Sequence, residues 1–338
     1  MFHSRLSRQY RWPDFDVRTD LAVEATETRL QEDPATIPGV SVEHQKHCDG
    51  TVFLTRVTIQ NEEGAQALGK PVGTYITLET TPLGQNDGET HRQISRLLAA
   101  QLKDLIHTLA PAAPPSILAV GLGNGDVTPD ALGPQVLNNL LITRHLRTGQ
   151  FALPAFSTDA ASVCGIVPGV MAQTGMETAE IIRALTDQIQ PDLILAIDAL
   201  AARSVSRLGT TIQLADTGIH PGSGVGNHRH SLTRDSLGVP VIAIGVPTVV
   251  SAAAIVADTL DAWIDLLQQG SDAPSLSHEF LNMSPDEKYH VIRQLLAPRF
   301  GAMFVTPKDI DETVKRISFT VSEGINMALF GDQGLPRS

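Results

Sequence analysis

Aromatic side chains and cysteines are scarce in this chain, and each shortage narrows what it can be. Of 338 residues only 4% are aromatic, against 42% hydrophobic overall. The apolar content is therefore mostly Ala, Val, Ile and Leu, the mix that fills buried parallel strands and their covering helices. The two cysteines, Cys48 and Cys164, lie far apart and follow no framework spacing, which excludes a disulfide-stapled secreted fold and leaves two plain thiols. Basic residues are also in deficit: 25 Lys and Arg stand against 37 Asp and Glu, a net charge of -12. A phosphate-neutralising face needs the opposite balance, so a direct nucleic-acid partner is not expected. No apolar run is long and charge-free enough to span a bilayer. The first twenty residues carry Arg5, Arg8, Arg11 and Arg18 without a continuous apolar stretch, which is not the pattern of a secretory signal. A cytoplasmic protein without membrane contact is expected, long enough to bury a sizeable core without metal or disulfide staples.

What is present alternates strands with helices. Residues 1–20 show neither helical nor strand period and read as a tail or removable segment. "TVFLTRVTIQ" and "GTYITLET" alternate apolar and polar residues as half-buried strands do, and are expected to pair antiparallel at a sheet edge. A helix over "HRQISRLLAAQLKDLIHTLA" ends at the proline-rich "PAAPPS". Strands are then expected at "SILAVGLG", "PDLILAIDAL", "TTIQLADTGI" and "VPVIAIGVP". Helices are expected at "PQVLNNLLITRHL", after a T-x-x-E capping box formed by Thr174 and Glu177, over "TVVSAAAIVADTLDAWIDLLQQG", and from Thr306-Pro307 onward. The sum is one α/β domain over residues 21–338, with a mainly parallel sheet, helices on both faces, an N-terminal antiparallel β addition and a surface insertion at about 270–287. In such sheets the loops at the carboxyl ends of the strands form the binding crevice. Three of these exits carry an aspartate: Asp130, Asp198 and Asp216.

The turn G-L-G-N-G-D, Gly121 to Asp126, departs from the dinucleotide fingerprint, because its third glycine falls one residue early and no helix opens at once. Asp130 lies in the loop entering the next helix, where a carboxylate can either cap that helix or act in catalysis. Asp198 ends a strand that is apolar on both faces, where burial raises a carboxyl pKa, and its nearest ionic donor in sequence is Arg203. Two carboxylates at adjacent exits, if close, share one proton; one then activates water while the other protonates the departing group. Asp216-Thr217-Gly218 copies the triplet of pepsin-like proteases but occurs once, in an α/β chain, and reads as a polar turn opening "TGIHPGSGVGN". Ser223 is outside a G-x-S-x-G elbow. His228 and His230, and His44, His47 and Cys48, lack a full ligand set at a recognised spacing.

The blocks "VGLGNGDVTPDALGP", "PGVMAQTGMETAEII", "PDLILAIDALAAR", "TTIQLADTGIHPGSGVGN", "LGVPVIAIGVPTVV" and "LAPRFGAMFVTPKDID", with "VRTDLAVEA" near the start, resemble the germination protease family of endospore-forming bacteria. The resemblance implies an atypical aspartic endopeptidase, similar in fold to hydrogenase maturation proteases, that degrades small acid-soluble spore proteins during germination. It places the catalytic aspartates on Asp130 and Asp198. It further implies a zymogen that removes its own N-terminal segment at about Asp20-Leu21, a homotetramer, and residence in the forespore and spore core. Where the family commonly has an aromatic after the turn asparagine, this chain has Gly125-Asp126. Gly123, Asn124, Asp216, His220, Gly222 and Gly224 are the expected substrate-positioning residues. No cofactor or metal is expected. The alternatives are a metal-assisted hydrolase using His220, His228 or His230, and a non-catalytic peptide-binding maturation protein of the same fold.

Overall fold

The computed structural model describes residues 19–32, 37–80, 83, 88–112, 114–147, 160–220, 230–269, 287–289, 291–292 and 303–331. Helix α1 (Ala22–Glu32) precedes an antiparallel meander of β1 (Val40–His47), β2 (Val52–Ile59) and β3 (Gly73–Glu79), with α2 (Glu62–Leu68) between the last two. Then follow α3 (Gly88–Leu109), β4 (Ser116–Gly121), α4 (Leu132–Asn138), α5 (Arg144–Arg147), β5 (Ser162–Ile166), α6 (Met171–Thr174), α7 (Thr178–Ile189) and β6 (Leu193–Ala202). The chain continues through β7 (Thr211–Ala215), α8 (Arg234–Leu237), β8 (Val241–Ser251), α9 (Ala252–Gln269), β9 (Phe304–Val305) and α10 (Ile310–Phe330).

One nine-stranded sheet runs β1-β2-β3-β7-β8-β6-β4-β5, with β9 on β8. The four strands β8, β6, β4 and β5 are parallel, and β1, β2, β3 and β7 extend them antiparallel. This is the expected α/β sheet with its N-terminal β addition. Strand β6 shows why its sequence is a continuous apolar run. Leu193, Leu195 and Ile197 join one core with α3, α4 and α10, while Ile194 and Ala196 join another with α1 and α7. Both faces are covered, so alternation disappears. Asp198 is the next member of the second set.

Several expected boundaries moved. Strand β1 was not foreseen, because "VSVEHQKH" is an edge strand with no buried residue and mostly polar side chains. Strand β5 is only five residues long. The helix expected through "PQVLNNLLITRHL" stops at Asn138, and the capping expected of Thr174 falls to Glu177, whose N–H donates to the Glu180 carboxylate at 3.2 Å. Thr174 instead closes α6 ahead of Gly175, which sits in the left-handed region at φ 71. "TVVS" completes β8 rather than starting α9, and Thr306 does not cap α10. Its hydroxyl donates to Thr248 O (2.9 Å), and the helix begins at Ile310. Most of the expected insertion at 270–287 lies outside the described residues. Thr19 and Asp20 belong to the folded body instead of a frayed tail. Thr19 is 8% exposed and its hydroxyl donates to Glu24.

Candidate functional site

The carboxyl ends of β4, β6 and β8 come together through backbone contacts. Leu122 N donates to Ile197 O at 2.8 Å, tying the β4 exit to the residue before Asp198. Helix α4 arrives on the same spot: a Cβ on Gly133 would stand 2.5 Å from Leu122 N and 2.6 Å from Ile197 O. The short 3-10 turn Thr128–Asp130 is pinned to β8 by Thr248 Oγ1, which donates to Pro129 O at 2.6 Å.

Asp130 does not cap α4, whose N-cap is Ala131 without a side-chain bond. Its Oδ2 accepts from Asn124 N at 2.8 Å. Gly123 adopts φ +104, and a Cβ there would lie 3.0 Å from Asp130 Oδ1, so only glycine lets the turn approach this carboxylate so closely. Asn124 Oδ1 in turn accepts from Asp126 N (3.0 Å) and Gln173 Nε2 (3.1 Å). The glycine turn is thus a clamp around the Asp130 carboxylate.

Asp198 is 6% exposed, and its Oδ1 accepts from Ala199 N at 2.9 Å. It lines a cavity of about 70 Å³ together with Asp20, Lys70, Tyr75, Gln213, His220 and Gly245. Asp130 is on the neighbouring loop and not part of that lining. Sheet register explains the cavity. Gly245 on β8 is opposite Gln213 on one side and Asp198 on the other, so the two side chains stand on the same face, two strand spacings or about 10 Å apart. Gly245 contributes nothing between them, and a Cβ there would run into Leu200.

The other predicted residues fall around this cavity or away from it. Asp216 Oδ1 accepts from Thr74 N at 2.7 Å, at the β3–β7 junction, and burial pushes its carboxyl upward. Thr217 and Gly218 line the cavity, and Tyr75, whose burial pushes its phenol to about 12, donates to Pro71 O (2.9 Å). His220 follows Ile219, which is locked to Leu232 by two backbone bonds. Gly222, Gly224, Ser223 and His228 lie outside the described residues. His230 is exposed, with Nδ1 3.7 Å from Glu177 Oε2. Arg203 donates to Thr28 Oγ1 at 2.7 Å. Cys48 and Cys164 are free, and burial raises both thiols. Among the described residues no three His, Cys, Asp or Glu side chains are grouped to hold a metal ion.

Asp20, at the expected cleavage junction, lines the same cavity. Asp20 O accepts from Gln213 Nε2 (3.0 Å) and Lys70 Nζ (3.1 Å), and Asp20 Oδ2 accepts from Ala201 N (3.1 Å). Thr19 O takes a further bond from Lys70 Nζ at 2.7 Å, and Ala22 N donates to Gln213 Oε1 at 2.7 Å. Leu21 is wholly buried. Lys70 and Gln213 were missed in the sequence. The available signals were a lone glycine inside an apolar strand, Gly245, and a lone polar residue inside another, Gln213.

No helix among the described residues is long and apolar enough to cross a membrane. A family model described as germination protease matches residues 17–279. The chain is 46% identical to the germination protease of Caldanaerobacter subterraneus subsp. tengcongensis, covering 93% of this chain and 94% of the relative. It is 44% identical to that of Clostridium perfringens (93% and 95%) and 40% identical to that of Priestia megaterium (93% and 94%). On matches of this extent the chain belongs to the germination protease family of peptidases.

Proposed function

We propose that this peptidase is a self-processing endopeptidase that cuts its own chain at Asp20-Leu21 and then degrades small acid-soluble spore proteins in the spore core, as a homotetramer. Its chemistry is hydrolysis by a water activated on the Asp130–Asp198 carboxylate pair. The observation that carries the reading is that Asp20 and Asp198 line one cavity. The bond from Ala201 N to the Asp20 carboxylate (3.1 Å) also supports it, since it gives an acidic residue on the amino side of the cut a fixed seat. Asp198 takes the proton of the attacking water. Asp130 supplies the proton to the departing nitrogen, so the pair begins and ends the step with one proton.

The test is intact-mass analysis of the full chain and its Asp130→Asn and Asp198→Asn variants, alone and with a small acid-soluble spore protein. The wild type should lose residues 1–20 and cut the added protein. Each folded variant should be slower by about 10²- to 10⁴-fold, the usual worth of a positioned acid or base. Wild-type rates in either variant would remove that aspartate from the mechanism.

A second reading rests on His220, which faces the same cavity as Asp198 and would make the pair a partial ligand set for a metal-assisted hydrolase. It requires that a chelator abolish cleavage and that zinc restore it. Cleavage at an unchanged rate in excess chelator would count against it.

A further inference from the structure

The reading above leaves two charged or polar side chains of the cavity without a task. Both point at one atom. Asp20 O, the carbonyl oxygen of the Asp20-Leu21 peptide bond, accepts from Lys70 Nζ at 3.1 Å and from Gln213 Nε2 at 3.0 Å. We infer that Lys70 and Gln213 are catalytic residues: paired donors that polarise the scissile carbonyl and hold the oxyanion formed when water attacks it. The inference rests on the proposed cut at Asp20-Leu21 by Asp198.

Each donor is placed by its own element. Helix α2 starts at Asn61, whose side chain accepts from Gly64 N (3.0 Å), and ends at Gly69 in the left-handed region at φ 61. That turn brings Lys70 off the helix end, where its ammonium spans Thr19 O and Asp20 O. Gln213 is 7% exposed on β7, and both ends of its amide are engaged: Nε2 donates to Asp20 O, and Oε1 accepts from Ala22 N at 2.7 Å. The carboxamide therefore cannot rotate without breaking two bonds that straddle the junction. Asp198 stands on the same face about two strand spacings away, with the Leu200 side chain over Gly245. Lys70, Gln213, Asp20 and Asp198 all line one cavity, and attack by water on the carbonyl requires the donors on one side of it and the carboxylate on the other. The free volume of about 70 Å³ suits a few waters rather than a second peptide.

The chemistry balances. The oxygen of water forms a bond to the Asp20 carbonyl carbon while its proton passes to Asp198, and the C=O electron pair moves onto Asp20 O, facing Lys70 and Gln213. The intermediate collapses with that pair returning to carbon. The C–N bond breaks, Leu21 N takes the proton from the other carboxyl of the pair, and the products are the Asp20 α-carboxyl and the Leu21 amine. A cation and an amide fixed beforehand stabilise such an oxyanion without reorganisation, and removing one donor of this kind costs about 10²- to 10³-fold in rate.

The experiment uses the full chain with Lys70→Met, Lys70→Arg and Gln213→Glu. Lys70 is only partly buried, so Met can take over its aliphatic contacts and the fold should survive. Glu at 213 keeps an acceptor for Ala22 N but loses the donor. Self-cleavage is followed as a first-order rate by intact mass, folding by thermal melt, and cleavage of a junction peptide by the kcat and KM of the processed forms. Lys70→Met should lose about 10²- to 10³-fold in the self-cleavage rate and in kcat, with KM within a few-fold, and Lys70→Arg should recover most of it. Gln213→Glu should fall at least as far. Wild-type kcat in folded Lys70→Met, or a loss confined to KM, overturns the proposal. If Asp198→Asn still cleaves, or the wild type cuts elsewhere than Asp20-Leu21, the underlying reading fails instead. If the wild type cuts there, Asp198→Asn is inert and both donor variants cut normally, only the donor assignment fails.

Discussion

At Asp216 the carboxylate resembles a catalytic group in sequence and behaves as a structural one in the fold. It sits in an aspartic-protease triplet, yet its Oδ1 accepts the Thr74 N–H at 2.7 Å, and burial is the largest influence on its titration, pushing the carboxyl upward. The sign of the resulting pH effect is fixed by linkage. A carboxyl that holds its proton more tightly when folded lends stability at low pH. That contribution is lost as pH rises from the ordinary carboxylate value through the raised folded value. Asp216→Asn keeps an acceptor for Thr74 N and removes the titration. The variant should therefore gain stability relative to wild type as pH rises from the ordinary carboxylate value through the raised folded value, with little change in cleavage rate. Urea-unfolding midpoints at several pH values check this, and a difference independent of pH would show that the site is not strained by charge. Asp130 and Asp198 illustrate what one sequence can say about a residue. Asp198 stands out as the lone charged residue in a run buried on both faces, but it does not end its strand as expected: β6 continues past it to Ala202. Asp130 was balanced between cap and site until the fold showed its carboxylate clamped by Asn124 N and Ala131 at the cap position.

At the scale of elements, the strand exits are welded together by glycines that permit backbone contact. Gly133 is one such joint: its missing Cβ would meet Leu122 N, just past β4, at 2.5 Å and Ile197 O, within β6, at 2.6 Å, both backbone atoms that cannot rotate away. Gly133→Ala should cost about 1 to 3 kcal/mol by overpacking. It should also shift α4 with the Asp130 turn, so that cleavage falls further than folding does. Gly125→Ala is the control, since its Cβ would find only Pro134 Cβ at 3.7 Å, an ordinary contact. Thermal melts and cleavage rates of the two variants should separate cleanly, and equal behaviour would mean that α4 has freedom to retreat. The strands at this joint were legible because burial on both faces leaves long apolar runs. Strand β1 was not, because this edge strand buries no residue fully and only its first residues, Val40 and Val42, pack on the core ahead of a polar run. Lys70 and Gln213 were illegible for a topological reason. Their meeting depends on β7 lying between β3 and β8, an order that no local pattern encodes.

Over the whole molecule, the N-terminal junction divides what stays bound from what can leave. Helix α1 is held mainly by partners beyond the junction, and Thr19, through its hydroxyl on Glu24, is the described link from the amino-terminal side. Glu24 accepts from Arg203 N (3.0 and 3.1 Å) and Ser204 N (3.1 Å), and Arg207 reaches Glu24 (3.7 Å), Glu27 (2.7 Å) and Glu79. Asp20 is held from outside that cluster, by Lys70, Gln213 and Ala201 N. A cut at Asp20-Leu21 therefore frees a residue that lines the cavity, and costs the helix that follows it the Thr19 bond to Glu24 while leaving the Arg203, Ser204 and Arg207 bonds in place. The two sets of bonds make a differential prediction. In the uncleaved Asp198→Asn chain the amides of Ala201, Arg203 and Ser204 should all be protected from hydrogen exchange. After self-processing of the wild type, Ala201 has lost its acceptor and should exchange about tenfold faster, the worth of roughly one hydrogen bond. Arg203 and Ser204 should keep their protection, because Glu24 remains. Amide exchange followed by NMR on alanine-, arginine- and serine-labelled protein distinguishes the cases. Unchanged protection at Ala201 would mean that the cleaved segment stays seated, and the cavity would then have to open by another route before any substrate could enter.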